Sequence, residues 1–243
     1  MPEGVSNKRL FADSPALVTG ASRGIGLAIA RRLGKLGAPL CICGRNARTL
    51  ETAAEELRQN GGKVVAVTAD VSRAADIRAL ADKAQQELGA IEILINNAGV
   101  ARFGPSHQMS EADWDTMLDT NLKAVFLLTS AVVPGMIERK RGQIINIASL
   151  AGKNAFAGGG IYCASKWGLR GLTACMSEDL RGYGIRVAAI FPGSVATSFS
   201  PHTGRDESKM IQADDVALAV EGMLLQPPNS LVSEVDIRPA QKP

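Results

Sequence analysis

The chain has 243 residues, 46% of them hydrophobic and 21% charged, and a net charge of +3. That length supports a substantial core, and in an open α/β sheet it fits a single domain, here 1–243, behind a polar leader at 1–13. So small a charge excludes nucleic acid and anionic membrane as expected partners, the leader has no apolar run of a secretory signal, and no stretch has the roughly 18 uninterrupted apolar residues of a membrane helix.

Short apolar runs alternate with helical patterns along the whole chain. Ala16–Val18 predicts a first strand ending in Thr19-Gly20, and Ile25–Leu36 a helix closed by Gly37, a residue favoured just past a helix end. Leu40–Cys43 is a second strand, with Pro39 tolerated only at its start. Cys41 and Cys43 share one face of that strand and, like Cys163 and Cys175, belong to no Cys-x-x-Cys pair; they read as free thiols, which fits a cytoplasmic location. Asn46–Gln59 is a helix capped by Asn46, Val64–Thr68 a third strand, Arg73–Leu88 a helix capped by Ser72, and Ile91–Ile95 a fourth strand. A long helical stretch runs from Glu111 to about Glu138 with Ser110 as cap, and Pro134-Gly135 is expected to kink or break it. Arg139-Lys140-Arg141 reads as its solvated end. Strand Gln143–Ala148, helix Ile161–Leu180, strand Ile185–Phe191, helix Ala213–Leu225 and strand Val232–Ile237 complete the alternation. Strands apolar along their whole length are buried on both faces. The pattern is therefore α/β: a doubly wound, mainly parallel seven-stranded sheet flanked by helices.

The first strand runs into Gly20-Ala21-Ser22-Arg23-Gly24-Ile25-Gly26. Its glycines allow a tight turn and close approach to a pyrophosphate, and the next helix aims free N–H groups at the phosphates. An acid after the second strand would bind the ribose hydroxyl of NAD; the chain has Arg45 there, and Arg23 in the loop. Two arginines can pair with the 2′-phosphate of NADP, so NADP(H) is favoured over NAD(H); the bland alternative is a solvated arginine opening a helix. Far downstream, Tyr162 and Lys166 stand four apart and share one helix face. A lysine cation beside a phenol would pull its pKa below about 10 and let it exchange a proton near neutral pH. Ser149 follows a strand, as do the Gly20, Asn96 and Pro192 segments, so all four should face one crevice at the carboxyl ends of the sheet.

With these residues in place the chain resembles the short-chain dehydrogenases/reductases, which fold as a Rossmann sheet. The resemblance rests on Thr19-Gly-x-x-x-Gly-Ile-Gly26, Asp70-Val71, Asn96-Asn97-Ala98-Gly99, Asn121, Ser149, Tyr162-x-x-x-Lys166 and Pro192-Gly193-Ser194-Val195-x-Thr197. Within the family the motifs are most similar to 3-oxoacyl-carrier-protein reductases, although Asn229–Pro239 replaces that subgroup's Gly-Gly ending. The resemblance implies Tyr162 as general acid or base, Ser149 as hydrogen-bond partner of the carbonyl, Lys166 as the cation tuning Tyr162 and holding the nicotinamide ribose, and Asn121 as part of a proton relay. It implies Asp70 and Val71 at the adenine, Asn97, Ala98 and Gly99 on the cofactor floor, and Pro192, Gly193, Val195 and Thr197 at the nicotinamide. It also implies a homodimer or homotetramer built on the helices holding Asn121 and Tyr162.

A substrate lid is expected at 198–212, with Phe103, Asn154 and Phe199 as pocket residues. His107 and His202 read as solvated loop residues, and Trp167 as packing against a neighbouring helix. The expected activity is hydride transfer between NADPH and a small-molecule carbonyl or alcohol, a 3-oxoacyl thioester among them. Two other readings stay open: an NAD-dependent alcohol, polyol, sugar or steroid dehydrogenase, and a non-catalytic NADP sensor.

Overall fold

The computed structural model describes residues 10–59, 61–199 and 206–242. Seven strands are named in chain order: β1 (Ala16–Val18), β2 (Leu40–Gly44), β3 (Val64–Thr68), β4 (Ile93–Asn96), β5 (Gly142–Ile147), β6 (Ile185–Pro192) and β7 (Glu234–Ile237). They form one sheet in the order β3-β2-β1-β4-β5-β6-β7, and every neighbouring pair is parallel. The chain winds outward from β1 to β3, then returns to place β4 on the other side of β1. That reversal opens a crevice at the carboxyl ends of β1 and β4.

Seven α-helices cover the two faces: α1 (Gly24–Lys35), α2 (Ala47–Arg58), α3 (Ala74–Leu88), α4 (Glu111–Leu118), α5 (Ala124–Arg139), α6 (Gly160–Arg181) and α7 (Ala213–Leu224). The side-chain period of two divides each strand between the faces. Ala16, Val18, Leu40, Ile42, Ile93 and Ile95 meet α1, α2 and α7, whereas Leu17, Cys41, Cys43 and Leu94 meet α3 and α5. Fully burying each Leu or Ile is worth roughly 1.5–3 kcal/mol, so these strands have one stable register. The predicted elements appear with shifts of at most two residues at their ends, and the sheet proves wholly parallel.

Three local expectations change. The long helix is not broken at Pro134, which lies inside α5; it changes to a π turn at Asp119–Lys123. Ser72 does not cap α3: its hydroxyl donates to Asp70 Oδ1 at 2.8 Å, and Arg73 takes the cap position without a side-chain bond. Within the predicted leader, Phe11 is buried and its N–H donates to the Leu36 carbonyl at 2.9 Å; residues 1–9 lie outside the described residues. Arg139-Lys140-Arg141 is the exposed helix end expected; there Arg139 donates to the Ala90 and Ile91 carbonyls and Arg141 pairs with the buried Glu92 at 2.9 Å. The other caps form as predicted, Asn46 accepting from Thr49 N and Ser110 closing a capping box with Asp113. The run Glu111–Arg139 is long and apolar enough to cross a membrane. Val125, Leu128, Val132 and Met136 along it are buried against the rest of the chain, which accounts for that composition.

Candidate active site

The loops after β1 and β4 are joined at the switch point. Thr19 Oγ1 accepts from the N–H groups of Asn97 and Ala98, both at 3.0 Å, and Asn97 Nδ2 donates to the Thr19 and Gly20 carbonyls at 2.8 and 3.1 Å. Gly20 adopts φ +64°, and a Cβ at Gly26 would lie 2.5 Å from both the Gly20 carbonyl oxygen and Asn97 Nδ2. Only glycine lets α1 start so close beneath the turn. No side chain caps α1, and no acid occupies its first turn, so its N–H groups and positive dipole end remain directed at the cleft.

One step deeper, Asn96 Nδ2 donates to Asn146 Oδ1 at 2.8 Å, and Asn146 Nδ2 donates to Thr173 Oγ1 at 2.9 Å. These buried amides tie β4 to β5 and β5 to α6, fixing the strand ends that carry the site. Asn121, on the π turn, is buried: its Oδ1 accepts from Val100 N at 2.8 Å, and its Nδ2 donates to the Val100 carbonyl and to Ser165 Oγ. It holds the loop after β4 against α6 from behind.

These elements border a cleft of about 1510 Å³, larger than the ~300–1,000 Å³ of an ordinary small-ligand pocket and roomy enough for a dinucleotide with a substrate. Every site residue expected from the sequence lines it except Gly26, which lies beneath the turn, and Asn121, which lies behind Gly99. Arg23 and Arg45 stand exposed at one end, neither in an ion pair among the described residues. Asp70 is the only carboxylate among the described lining residues; its Oδ1 accepts from Ser72. The glycine turn, the uncapped helix and the two arginines fit a dinucleotide phosphate chain bearing an additional phosphate.

At the other end, Tyr162 and Lys166 project from the first turns of α6 beside Ser149, which follows β5. Both side chains are nearly out of water, 6% and 4% exposed. Ser149 Oγ accepts from Ala151 N at 3.1 Å and also meets the Tyr162 hydroxyl, which favours the phenolate. Burial outweighs that bond and pushes the Tyr162 pKa up to about 12. The expected lowering by Lys166 is not found. Lys166 Nζ donates to the Ile147 carbonyl at 2.9 Å and lies 6.0 Å from the Tyr162 ring centroid, and burial lowers its own pKa to about 8. Sharing a helix face brought the two side chains near each other, but the ammonium donates its hydrogen bond to the carbonyl at the end of β5.

Phe103 and Phe199 both flank Tyr162, and Asn154 lines the same wall. Phe156 and the segment 238–242 also line the cleft but carried no sequence signal, since only the path of the loops brings them there. Trp167 does not pack inward: one residue past Lys166 on the helix, it points away from the core and is half exposed. His107 is exposed in a short 3-10 turn. Of the predicted lid, 200–205, including His202, lies outside the described residues, while Glu207–Lys209 form a 3-10 turn and Ile211 bridges to Val195. Cys41, Cys43 and Cys163 are buried free thiols and Cys175 an exposed one, with burial raising the first two to about 12.

A family model for short chain dehydrogenases matches residues 14–208. The protein described as ketoacyl reductase 1 of the granaticin polyketide synthase of Streptomyces violaceoruber is 45% identical over 184 residues, 75% of this chain and 68% of that one. Among solved structures, a metagenomic short-chain oxidoreductase in complex with NADP superimposes with a TM-score of 0.85 at 42% identity, covering 96% of this chain and 99% of that one. An alcohol dehydrogenase from the archaeon Thermococcus sibiricus, complexed with 5-hydroxy-NADP, gives a TM-score of 0.87 at 30% identity over 95% and 98% of the two chains.

Proposed function

The chain belongs to the short-chain dehydrogenase family, and from that premise we propose that it is an NADPH-dependent oxidoreductase interconverting a carbonyl compound and its alcohol. The observation that carries the reading is the convergence of Ser149, Tyr162 and Lys166 at one end of a cleft whose other end presents Arg23 and Arg45. When bound, the nicotinamide supplies the hydride that reduces the carbonyl carbon.

The chain's own groups do the rest. The Gly20–Gly26 turn and the N-terminus of α1 hold the pyrophosphate, and Arg23 and Arg45 pair with the 2′-phosphate. Ser149 Oγ donates a hydrogen bond to the substrate oxygen and steadies negative charge as it develops there. Tyr162 gives its hydroxyl proton to that oxygen. The raised pKa keeps the proton on Tyr162 at neutral pH, so the group is ready as an acid. Once the substrate oxygen has taken that proton, the Ser149 hydroxyl can turn to the phenolate left behind and stabilise it. In the oxidative direction the same atoms run in reverse, and the rate should rise with pH because Tyr162 must first lose its proton.

The names of the relatives support an NADP cofactor and a CH–OH or C=O substrate, with 3-oxoacyl thioesters among the candidates. Buried unpaired thiols support a cytoplasmic location. Half-exposed Trp114, Phe126 and Trp167 on α4, α5 and α6 support a homo-oligomer built on those helices.

The test is a fluorescence titration with NADPH and NADH, followed by turnover, in the wild type and in Tyr162→Phe. The wild type should bind NADPH more tightly than NADH. The variant should bind NADPH equally well while losing about 10²–10⁴-fold in kcat, the usual worth of a positioned acid. Retained turnover in the variant would remove Tyr162 from the mechanism.

A further inference from the structure

Two phenylalanines flank the Tyr162 phenol and a third packs against one of them. The ring centroids of Phe103 and Phe199 lie 5.7 and 6.2 Å from that of Tyr162, and Phe156 lies 5.9 Å from Phe103. All four rings border the cleft, yet Phe103, Phe156 and Phe199 are 50%, 48% and 45% exposed. Apolar area left in water is unfavourable, and three such rings beside a reacting hydroxyl make one contiguous apolar wall.

The wall is built into the backbone. Gly104 N donates to the Gly158 carbonyl at 2.9 Å, which ties the loop carrying Phe103 to the loop carrying Phe156. A Cβ at Gly159 would lie 2.5 Å from the Phe156 ring, so glycine there leaves room for the ring in its present position. Phe103 meets Tyr162 edge to face at 79°, an arrangement aromatic pairs prefer, while Phe156 is tilted by 55° to Phe103 and Phe199 by 50° to Tyr162.

No carboxylate lines this end among the described residues. Asp70, the lone carboxylate among the described lining residues, follows β3 on the far side of the switch point. The Asn154 amide donates to the Leu150 carbonyl at 3.2 Å. A polyol lying on the phenylalanine faces would leave water for carbon, and an ammonium group would meet no carboxylate among the described residues. A flat ring, in contrast, can lie among the phenylalanines with its ketone at Tyr162.

We infer that Phe103, Phe156 and Phe199 form an aromatic clamp selecting an aryl or fused-ring ketone, with the carbonyl directed at the hydroxyls of Tyr162 and Ser149. The inference rests on the reductase reading for its chemistry, but the clamp itself can be measured without turnover.

Calorimetric titration of 2-tetralone, 2-decalone and dihydroxyacetone, with and without saturating NADP⁺, tests it. The aromatic 2-tetralone should bind about 100-fold more tightly than dihydroxyacetone and about fivefold more tightly than 2-decalone, which has the same skeleton without the aromatic ring. Phe103→Leu and Phe156→Leu, which stay apolar but lose the ring, should each weaken 2-tetralone by up to about fivefold and leave 2-decalone within about twofold. Equal binding of 2-tetralone and 2-decalone, or leucine variants that bind 2-tetralone like the wild type, would overturn the clamp. Specific binding of 2-tetralone with no NADPH-dependent reduction would uphold the clamp and overturn the reductase reading alone.

Discussion

Lys166 keeps its ammonium group nearly out of water with one recorded hydrogen bond, to the Ile147 carbonyl. Burial lowers its pKa from 10.5 to about 8. Between those values the unfolded chain holds more protons than the folded one, so folding gains stability as pH rises from about 8 toward 10.5. Below about 8 both states are charged and the full penalty applies, at most a few kcal/mol. Tyr162 acts in the opposite direction at higher pH: its proton is lost from the unfolded chain first, so stability falls from about pH 10 upward. Lys166→Met removes the first effect. In thermal melts of wild type and variant from pH 7 to 10, the wild type should gain on the variant as pH rises; parallel curves would show that burial does not strain this lysine. The spacing of Tyr162 and Lys166 revealed the pair but not its electrostatics. A four-residue interval fixes a shared helix face, whereas the balance of desolvation against hydrogen bonding depends on what covers that face.

The 3-10 turn Leu150–Gly152 carries Ser149 at its start and Lys153 at its end. Lys153 Nζ reaches Asp236 and Glu234 on β7, both at 2.7 Å, and lies 4.1 Å above the ring of the fully buried Phe191, which precedes Pro192. One cation thus joins the segment after β5 to β6 and to the edge strand. Its partners are about one-third exposed, so screening limits the gain, and Lys153→Met should cost about 1–2 kcal/mol and a few degrees of Tm. Lys153→Arg should restore most of the loss; an unchanged Tm in the methionine variant would show that the turn is held by its backbone alone. At this scale apolar periodicity located every helix and strand, because burial on two faces leaves a continuous apolar run. The π turn at Asp119–Lys123 escaped it: a proline is visible in the chain, but an extra residue in a helical turn has no residue type of its own.

Across the whole molecule, Trp114, Phe126 and Trp167 leave three large rings half exposed on α4, α5 and α6, away from the cleft's Phe103, Phe156 and Phe199. Sedimentation should give a dimer or larger species for the wild type, and Phe126→Asp with Trp167→Asp should shift it to monomer while leaving the far-ultraviolet circular dichroism unchanged. A monomeric wild type would sink that assembly. The sequence by itself determined the sheet, the switch-point loop, the choice of arginine over an acid after β2, and the Ser149, Tyr162 and Lys166 set. Each of these is written in local spacing: a period of two or of 3.6, a glycine where the chain must turn tightly, a charge at a strand end. Tertiary structure alone decided the environment of those groups. It raised Tyr162 and lowered Lys166, placed Asn121 behind the loop it holds, and brought Phe103, Phe156 and Phe199 together from three distant loops. Desolvation and long-range contact depend on which surfaces meet after folding, and neither is carried by neighbours along the chain.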